Sequence, residues 1–182
     1  MAIMKKLIIT SLLTSLFTTS AFAGLPSITF EGKKITVEDT RASLIKKLGK
    51  PTDGNNTYSH WEKSNYSISA SYSQYGLKNF SIDQLRTTPT ANLIVVGDTK
   101  LYLGKDSLKS AVAKLKHGCF DLVDTKFDST YSFIVRDGAE GEINVGLKAE
   151  YVNNSKAASL NKPIYGVVFS YDELDASEGC TQ

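Results

Sequence analysis

Apolar and polar positions follow the same order twice along this chain, at a spacing of about 66 residues. Residues 27–37 and residues 92–103 each read as two short strands around a tight turn. Each predicted hairpin then runs into a short segment whose apolar residues recur at helical spacing. The pattern therefore predicts an internal repeat whose unit begins with a hairpin and a helix.

Both predicted helices carry start signals. Asp39 or Thr40 can cap the first helix, and Asp106 or Ser107 can cap the second, because short polar side chains accept hydrogen bonds from the first free backbone N–H groups. Each helix has one apolar stripe, so each must pack on something else. The stripe residues are Leu44, Ile45 and Leu48 in the first helix and Leu108, Ala111, Val112 and Leu115 in the second.

After each helix the pattern changes to strict alternation, which is typical of half-buried strands. Residues 66–73 alternate apolar residues with serines and return through residues 78–82 after a turn. In the second half, residues 131–136 and 142–151 form a longer predicted hairpin, and residues 164–171 a last strand. Four aromatic residues of these strands are expected in the core, namely Tyr131, Phe133, Phe169 and Tyr171.

These elements predict an α+β fold of two tandem units, each a short helix packed on an antiparallel sheet. The first unit covers residues 24–88 and the second covers residues 89–182. The linker at residues 86–90 is short, so the two units are expected to touch. Residues 152–162 are polar and are expected to form the longest loop.

The first 23 residues have the composition of a cleavable bacterial signal peptide. Lys5 and Lys6 precede an apolar stretch at residues 7–17, and residues 21–23 form a small-residue cleavage site. We therefore expect residues 1–23 to be removed and the mature protein to be periplasmic or secreted. No later stretch reaches the roughly 18 apolar residues of a membrane-spanning helix, so membrane insertion is not expected.

The net charge excludes some partners. The whole chain carries a formal charge of +2, and removal of a segment with two lysines and no acid takes this to 0. A neutral protein is poorly suited to binding nucleic acid or an anionic membrane surface. We therefore expect neither as a partner.

Cys119 and Cys180 are the chain's two cysteines. In an oxidising compartment a disulfide between them is the expected state, and it would link the C-terminus to the middle of the chain. The alternative is a nucleophilic Cys119 assisted by His117, but no third group orients this pair.

Catalytic and metal-binding patterns are sparse. His60 and His117 are the two histidines, and they lack the close spacing of a zinc motif. The spacing of Asp121, Asp124 and Asp128 is loosely like that of a calcium loop, but the expected Gly and Glu are missing, which favours a solvated connector. The sequence therefore predicts no catalytic residue, no metal and no cofactor.

Aromatic residues are the main candidates for partner contacts in this chain. Tyr58, His60, Trp61 and Tyr75 stand beside polar neighbours on a short predicted strand and a turn, where rigid rings provide contact area at low entropic cost. We predict that these four residues bind a partner. For Trp61, an equally favoured alternative is that it anchors the core of its unit.

The first unit resembles the repeat of the beta-lactamase-inhibitor-protein-like and SmpA/OmlA-like group. The resemblance rests on a helix that ends at residues 48–51, Leu-Gly-Lys-Pro, an aromatic at Trp61 and a strand and turn over residues 72–77. The second unit departs from this pattern, with Lys-His-Gly-Cys at residues 116–119. The resemblance implies tandem units of helix and antiparallel sheet that bind other proteins and do not catalyse.

Taken together, these features lead to the hypothesis of an exported binding protein of the inhibitor or immunity type, whose partner is a protein such as a secreted or periplasmic enzyme or toxin. A second hypothesis is a small periplasmic enzyme or ligand-binding module with a site between the two halves, where His60, His117 and Glu62 would be the polar groups. A structural role in the cell envelope is a third.

Overall fold

A computed structural model describes residues 27–85, 92–115, 119–124, 128–136, 142–153 and 155–172. These residues form twelve strands and three short helices. The strands are β1 (Ile28–Phe30), β2 (Lys33–Ile35), β3 (Asp53–Gly54), β4 (Tyr58–Glu62), β5 (Tyr66–Ser73), β6 (Gly76–Gln84), β7 (Asn92–Val96), β8 (Thr99–Leu103), β9 (Cys119–Asp124), β10 (Asp128–Arg136), β11 (Glu142–Glu150) and β12 (Ile164–Asp172). The helices are α1 (Arg41–Leu48), α2 (Leu108–Lys114) and α3 (Lys156–Leu160).

The strands form two antiparallel sheets, and each sheet contains strands from both halves of the chain. The smaller sheet has the order β2-β1-β7-β8, so the two short hairpins join through β1 and β7. The larger sheet has the order β3-β4-β5-β6-β12-β11-β10-β9, and the halves join through β6 and β12. Phe80 pairs with Phe169 at this second junction.

The α+β prediction, with a helix packed on its own sheet in each unit, is wrong. The fold is mainly β, and its helices are only eight, seven and five residues long. An eight-residue helix is about 12 Å long, which is too short to cover a wide sheet. Strand edges left unpaired by one half are instead paired by the other half, which satisfies their backbone N–H and C=O groups.

One hydrophobic core lies between the inner face of the eight-stranded sheet, the smaller sheet and the helices. The two halves share this core, since buried residues of both halves pack in the same cluster. Its largest fully buried side chains are Trp61, Phe80, Phe169, Ile28, Ile35, Leu44, Ile68, Ile82, Ile94, Leu101, Leu103 and Leu108.

The start of α1 is fixed by a buried carboxylate. Thr40 is the cap, and its hydroxyl accepts a hydrogen bond from the Ser43 amide at 3.3 Å. The preceding residue, Asp39, accepts hydrogen bonds from the Thr36 amide (2.9 Å) and from the Ser43 hydroxyl (2.6 Å). The Lys47 ammonium lies 2.6 and 2.7 Å from the two Asp39 oxygens. Asp39 thus links both ends of α1, through Ser43 and Lys47, to the chain that precedes the helix.

The second helix repeats this arrangement. Ser107 is the cap, and its hydroxyl accepts from the Ser110 amide at 3.1 Å. Asp106 accepts from the Tyr102 amide at 2.8 Å and from the Lys114 ammonium at 2.7 Å. In both halves an aspartate therefore accepts from a backbone N–H three or four residues earlier and pairs with the lysine eight residues later. The sequence contained this signal, because Asp-Thr-x-x-Ser and Asp-Ser-x-x-Ser begin the two segments.

Two segments that were predicted as loop or connector are regular. Residues 152–162 contain α3, whose cap Ser155 accepts a hydrogen bond from the Ala158 amide at 3.2 Å. The segment of Asp121 and Asp124 belongs to β9, which pairs along β10. A five-residue helix has too few residues to show helical periodicity, and acidic residues in an edge strand hide its alternation.

Tyr66 joins the two sheets and provides a pH test of this packing. Its ring meets Phe30 edge to face, with centroids 4.8 Å apart, and its hydroxyl donates to the Glu31 carboxylate at 2.8 Å. Burial, followed by the hydrogen bond and the charge of Glu31, raises the pKa of Tyr66 from 10.0 to about 12. The neutral phenol is thus favoured in the folded state, so its stabilisation is complete below pH 10 and is lost between pH 10 and pH 12.

We expect the free energy of unfolding to fall more steeply with pH for the wild type than for Tyr66→Phe across this window. The extra loss should be on the order of 1 kcal/mol, since the site is partly exposed. Urea unfolding of both proteins at pH 8, 10 and 11.5 measures it. Because Tyr66→Phe keeps the ring contact with Phe30, the packing is the same in both proteins and the comparison isolates the hydroxyl. Parallel pH profiles of the two proteins would contradict the expectation.

Candidate functional site

The four predicted contact residues divide between the two faces of the eight-stranded sheet. Side chains alternate along β4, so Tyr58 and His60 lie on the face away from the core and Trp61 lies on the face toward it. Trp61 is fully buried, and its indole N–H donates to the Gly49 carbonyl at 2.8 Å. The proposal of Trp61 as a contact residue is therefore corrected, and the core alternative describes its position.

Tyr75 and Tyr58 lie toward the same end of the sheet. Tyr75 is in the turn between β5 and β6 and is 73% exposed, the highest exposure among the large apolar side chains that the structure describes. Tyr58 begins β4 opposite Ser71 and is 37% exposed. The turn is held against the chain before α1, because the Leu77 amide donates to the Val37 carbonyl at 2.9 Å. Gly76 has a φ of 130°, and a Cβ there would meet the Val37 carbonyl oxygen at 2.6 Å.

His60 and Glu62 lie on the same face of β4. The His60 ring nitrogen Nδ1 lies 3.1 Å from the Ser69 hydroxyl on the neighbouring strand. Glu62 is exposed at the end of β4. His117, the third group of the alternative hypothesis, lies outside the described residues.

We use the term outer face for the side of the eight-stranded sheet that points away from the core. Small and mostly polar residues dominate its centre. Across the middle four strands, one row of paired residues consists of Ser69, Ser81, Val168 and Gly146. Because these side chains are short, the outer face is flat at this point, and a partner's side chains can approach the backbone.

One ion pair crosses the outer face and joins the two halves. The Lys148 ammonium on β11 lies 3.0 and 3.1 Å from the two carboxylate oxygens of Asp83 on β6. Gly166 on β12 lies between them, and a Cβ at this position would clash with the Asp83 carboxylate and crowd Lys148. Glycine is therefore needed at residue 166 for the pair to form.

A polar cluster that the sequence did not reveal lies under the end of the sheet that carries the two tyrosines. The side-chain atoms Arg41 Nε, Ser59 Oγ and Tyr72 Oη are all buried, and none has a hydrogen-bond partner among the residues that the structure describes. Burial raises the pKa of Tyr72; the neighbouring Ser59 hydroxyl and Arg41 guanidinium act to lower it, while the Asp39 carboxylate raises it. Ser59 lowers it because its hydroxyl is close enough to bond the phenolate form; in the neutral form no hydrogen bond of ordinary geometry joins the two hydroxyls.

A cavity of about 210 Å³ lies where the two halves meet. This volume is below the roughly 300 Å³ at which pockets for small ligands begin. Neither His60 nor Glu62 lines it. Its lining residues are Gln84, Leu85, Gly104, Glu150, Pro163, Ile164 and Tyr165.

Several predictions concern residues that the structure does not describe. The predicted signal peptide at residues 1–23 and Cys180 are among them, so both the signal peptide and the expected Cys119–Cys180 disulfide stay predictions. In the described part of the chain, no group of three or more His, Cys, Asp or Glu residues is placed to hold a metal ion. None of the described helices has the length and apolar composition needed to cross a bilayer.

The fold and the outer face define a mainly antiparallel β protein in which no described residues cover one face of the larger sheet. Comparison of the chain with protein-family models, with curated proteins and with solved structures gives no match in any of the three.

Proposed function

We propose that this chain is an exported, periplasmic or secreted protein that binds a protein partner and occludes it, in the manner of an inhibitor or immunity protein. The observation that supports this is the outer face, whose four middle strands carry small and mostly polar side chains and which exposes Tyr58 and Tyr75 at one end. Rigid aromatic side chains beside a low polar surface are typical of protein-binding sites.

The size of the outer face suits a protein better than a small molecule. Apart from the two-residue β3, the seven strands of this sheet span about 29 Å at about 4.8 Å spacing, and with five to nine residues each they are about 17–30 Å long. Such a face offers about 800 Å², which is the area that one partner buries in a standard protein–protein interface. The resemblance to the inhibitor-like repeat group points the same way.

Capture of a partner tests the proposal. Residues 24–182 would be immobilised and exposed to a periplasmic extract and to culture supernatant, and the affinity of any captured protein would then be measured by calorimetry. We expect Tyr58→Ala and Tyr75→Ala each to weaken this affinity about 10-fold or more, as for large aromatic contacts.

Leu93→Ala is the matched control. Leu93 is 40% exposed, close to the exposure of Tyr58, but it lies on β7 in the smaller sheet. Its removal should leave the affinity unchanged. Equal losses for Leu93→Ala and the two tyrosine variants, or no loss in any of them, would contradict binding through the outer face.

A further inference from the structure

The charge of Arg41 lacks a counter-charge. Arg41 is the first residue of α1, its side chain is half-buried, and its Nε is fully shielded from solvent. Among the described residues no carboxylate forms an ion pair with it. The nearby Asp39 carboxylate is already bound through both oxygens by Lys47. Only the Nε atom of the guanidinium is shielded from solvent, and a shielded N–H donor without an acceptor indicates a missing partner.

Two further donors share this neighbourhood. Ser59 is fully buried on the inner face of β4, and Tyr72 is half-buried near the end of β5. Each hydroxyl can donate one hydrogen bond, and neither makes one within the described structure. Leaving buried donors unsatisfied costs about 1–3 kcal/mol each, so three together call for an acceptor.

The cluster lies close to the surface. Tyr72 is three residues before Tyr75, and the turn that carries Tyr75 packs on Val37, in the chain that leads into α1. An acceptor that enters at this end of the sheet would therefore pass beside the exposed Tyr75 ring.

We propose that Arg41, Ser59 and Tyr72 form a binding site for a carboxylate, and that an Asp or Glu side chain of the partner protein supplies it. A carboxylate has acceptor sites for all three donors and neutralises the guanidinium, whereas a water molecule would leave that charge unpaired. The site lies at the N-terminal end of the eight-residue α1, where the helix dipole also favours an anion. The source of the carboxylate rests on the proposed function, but the site itself does not.

The test on the isolated protein uses acetate as the probe. The NMR signal of the Arg41 Nε–H group would be followed during titration with sodium acetate and, separately, with sodium chloride. We expect a shift that saturates with acetate at millimolar concentration and a much smaller effect of chloride. Tyr72→Phe and Ser59→Ala should each weaken acetate binding about threefold or more, which corresponds to the loss of one weak hydrogen bond.

Tyr102→Phe is the matched control, since it removes a phenol hydroxyl from β8, in the smaller sheet. It should leave acetate binding unchanged. A shift that does not saturate, or one that chloride reproduces, would mean an adventitious ion only and would overturn the site. A crystal structure with only an ordered water between the three donors would overturn it as well.

The outcome separates this inference from the proposed function. If acetate does not bind while Tyr58→Ala and Tyr75→Ala still weaken partner capture, the carboxylate site is wrong and the proposed function stands. If acetate binds but the wild type captures no partner, the site stands and its assignment to a protein partner fails. Loss of both acetate binding and partner binding in Arg41→Gln supports the full inference.

Discussion

Replacing Trp61 with alanine should lower the free energy of unfolding by about 4 kcal/mol, because deletion of a fully buried indole leaves a large cavity in a core that both halves share. The substitution also leaves the Gly49 carbonyl without the indole N–H that donates to it at 2.8 Å. That carbonyl belongs to the residue that ends α1, so the helix end loosens along with the core. Urea unfolding at constant pH measures the effect.

Trp61→Phe separates the two contributions. Phenylalanine retains much of the ring volume but has no donor for the Gly49 carbonyl, so we expect a loss of about 1–2 kcal/mol. Because Trp61 faces the core, Trp61→Phe should also leave the affinity for a captured partner unchanged. A weakened affinity in a Trp61→Phe variant that remains folded would instead indicate that Trp61 contacts the partner.

Local signals in the sequence predicted many of the elements. The sequence offers two candidate caps for each helix, and one of each pair, Thr40 and Ser107, is the cap, since a short polar side chain before an apolar stripe has a direct physical role. The alternation at residues 66–73 and 142–151 likewise corresponds to β5 and β11. Those signals act within a few residues of the chain.

The pairing between the halves had no such signal. The sequences of β6 and β12 do not indicate that Phe80 will lie opposite Phe169, because the edge of a strand offers the same N–H and C=O groups to any partner. The prediction of a separate sheet in each unit followed from assuming that neighbours in sequence pair only with each other. The edges of each half were instead completed by the other half.

The residues of the candidate site also divide into those that local sequence signals predict and those that they do not. Tyr58 and Tyr75 were predicted as contacts from composition and turn position, and both are exposed. The period of two along β4 already placed Trp61 on the opposite face from Tyr58, which favours the core position. Arg41, Ser59 and Tyr72 come from three elements and become neighbours only through tertiary packing, so no local pattern could have grouped them.

Asp39→Ala should be the most damaging polar substitution among the described residues, with an expected loss of about 3 kcal/mol. The Asp39 carboxylate is 5% exposed and serves the Thr36 amide, the Ser43 hydroxyl and the Lys47 ammonium. Its removal leaves the Thr36 amide without an acceptor, leaves the Lys47 ammonium with only the Lys34 carbonyl, and frees the start of α1. For a chain of this size, such a loss lowers the melting temperature by about 6–12 °C.

Asp106→Ala is the matched control from the second half. Asp106 occupies the equivalent position, but its side chain is 12% exposed and accepts from two groups, the Tyr102 amide and the Lys114 ammonium. We therefore expect a smaller loss of about 1–2 kcal/mol. Equal losses at the two positions would show that the number of bonds to the carboxylate does not set its contribution.

A double-mutant cycle isolates the ion pair from the backbone hydrogen bonds. Once Asp39 is alanine, Lys47→Met should cost less than it does in the wild type, because the ammonium has already lost its carboxylate. The Thr36 amide, in contrast, stays without its acceptor in both backgrounds. A Lys47→Met effect that is the same in both backgrounds would place the stabilising role of Asp39 in its bonds to Thr36 and Ser43 alone. The repeated aspartate would then stabilise each half by capping the chain before its helix, with the lysine contributing only at the surface.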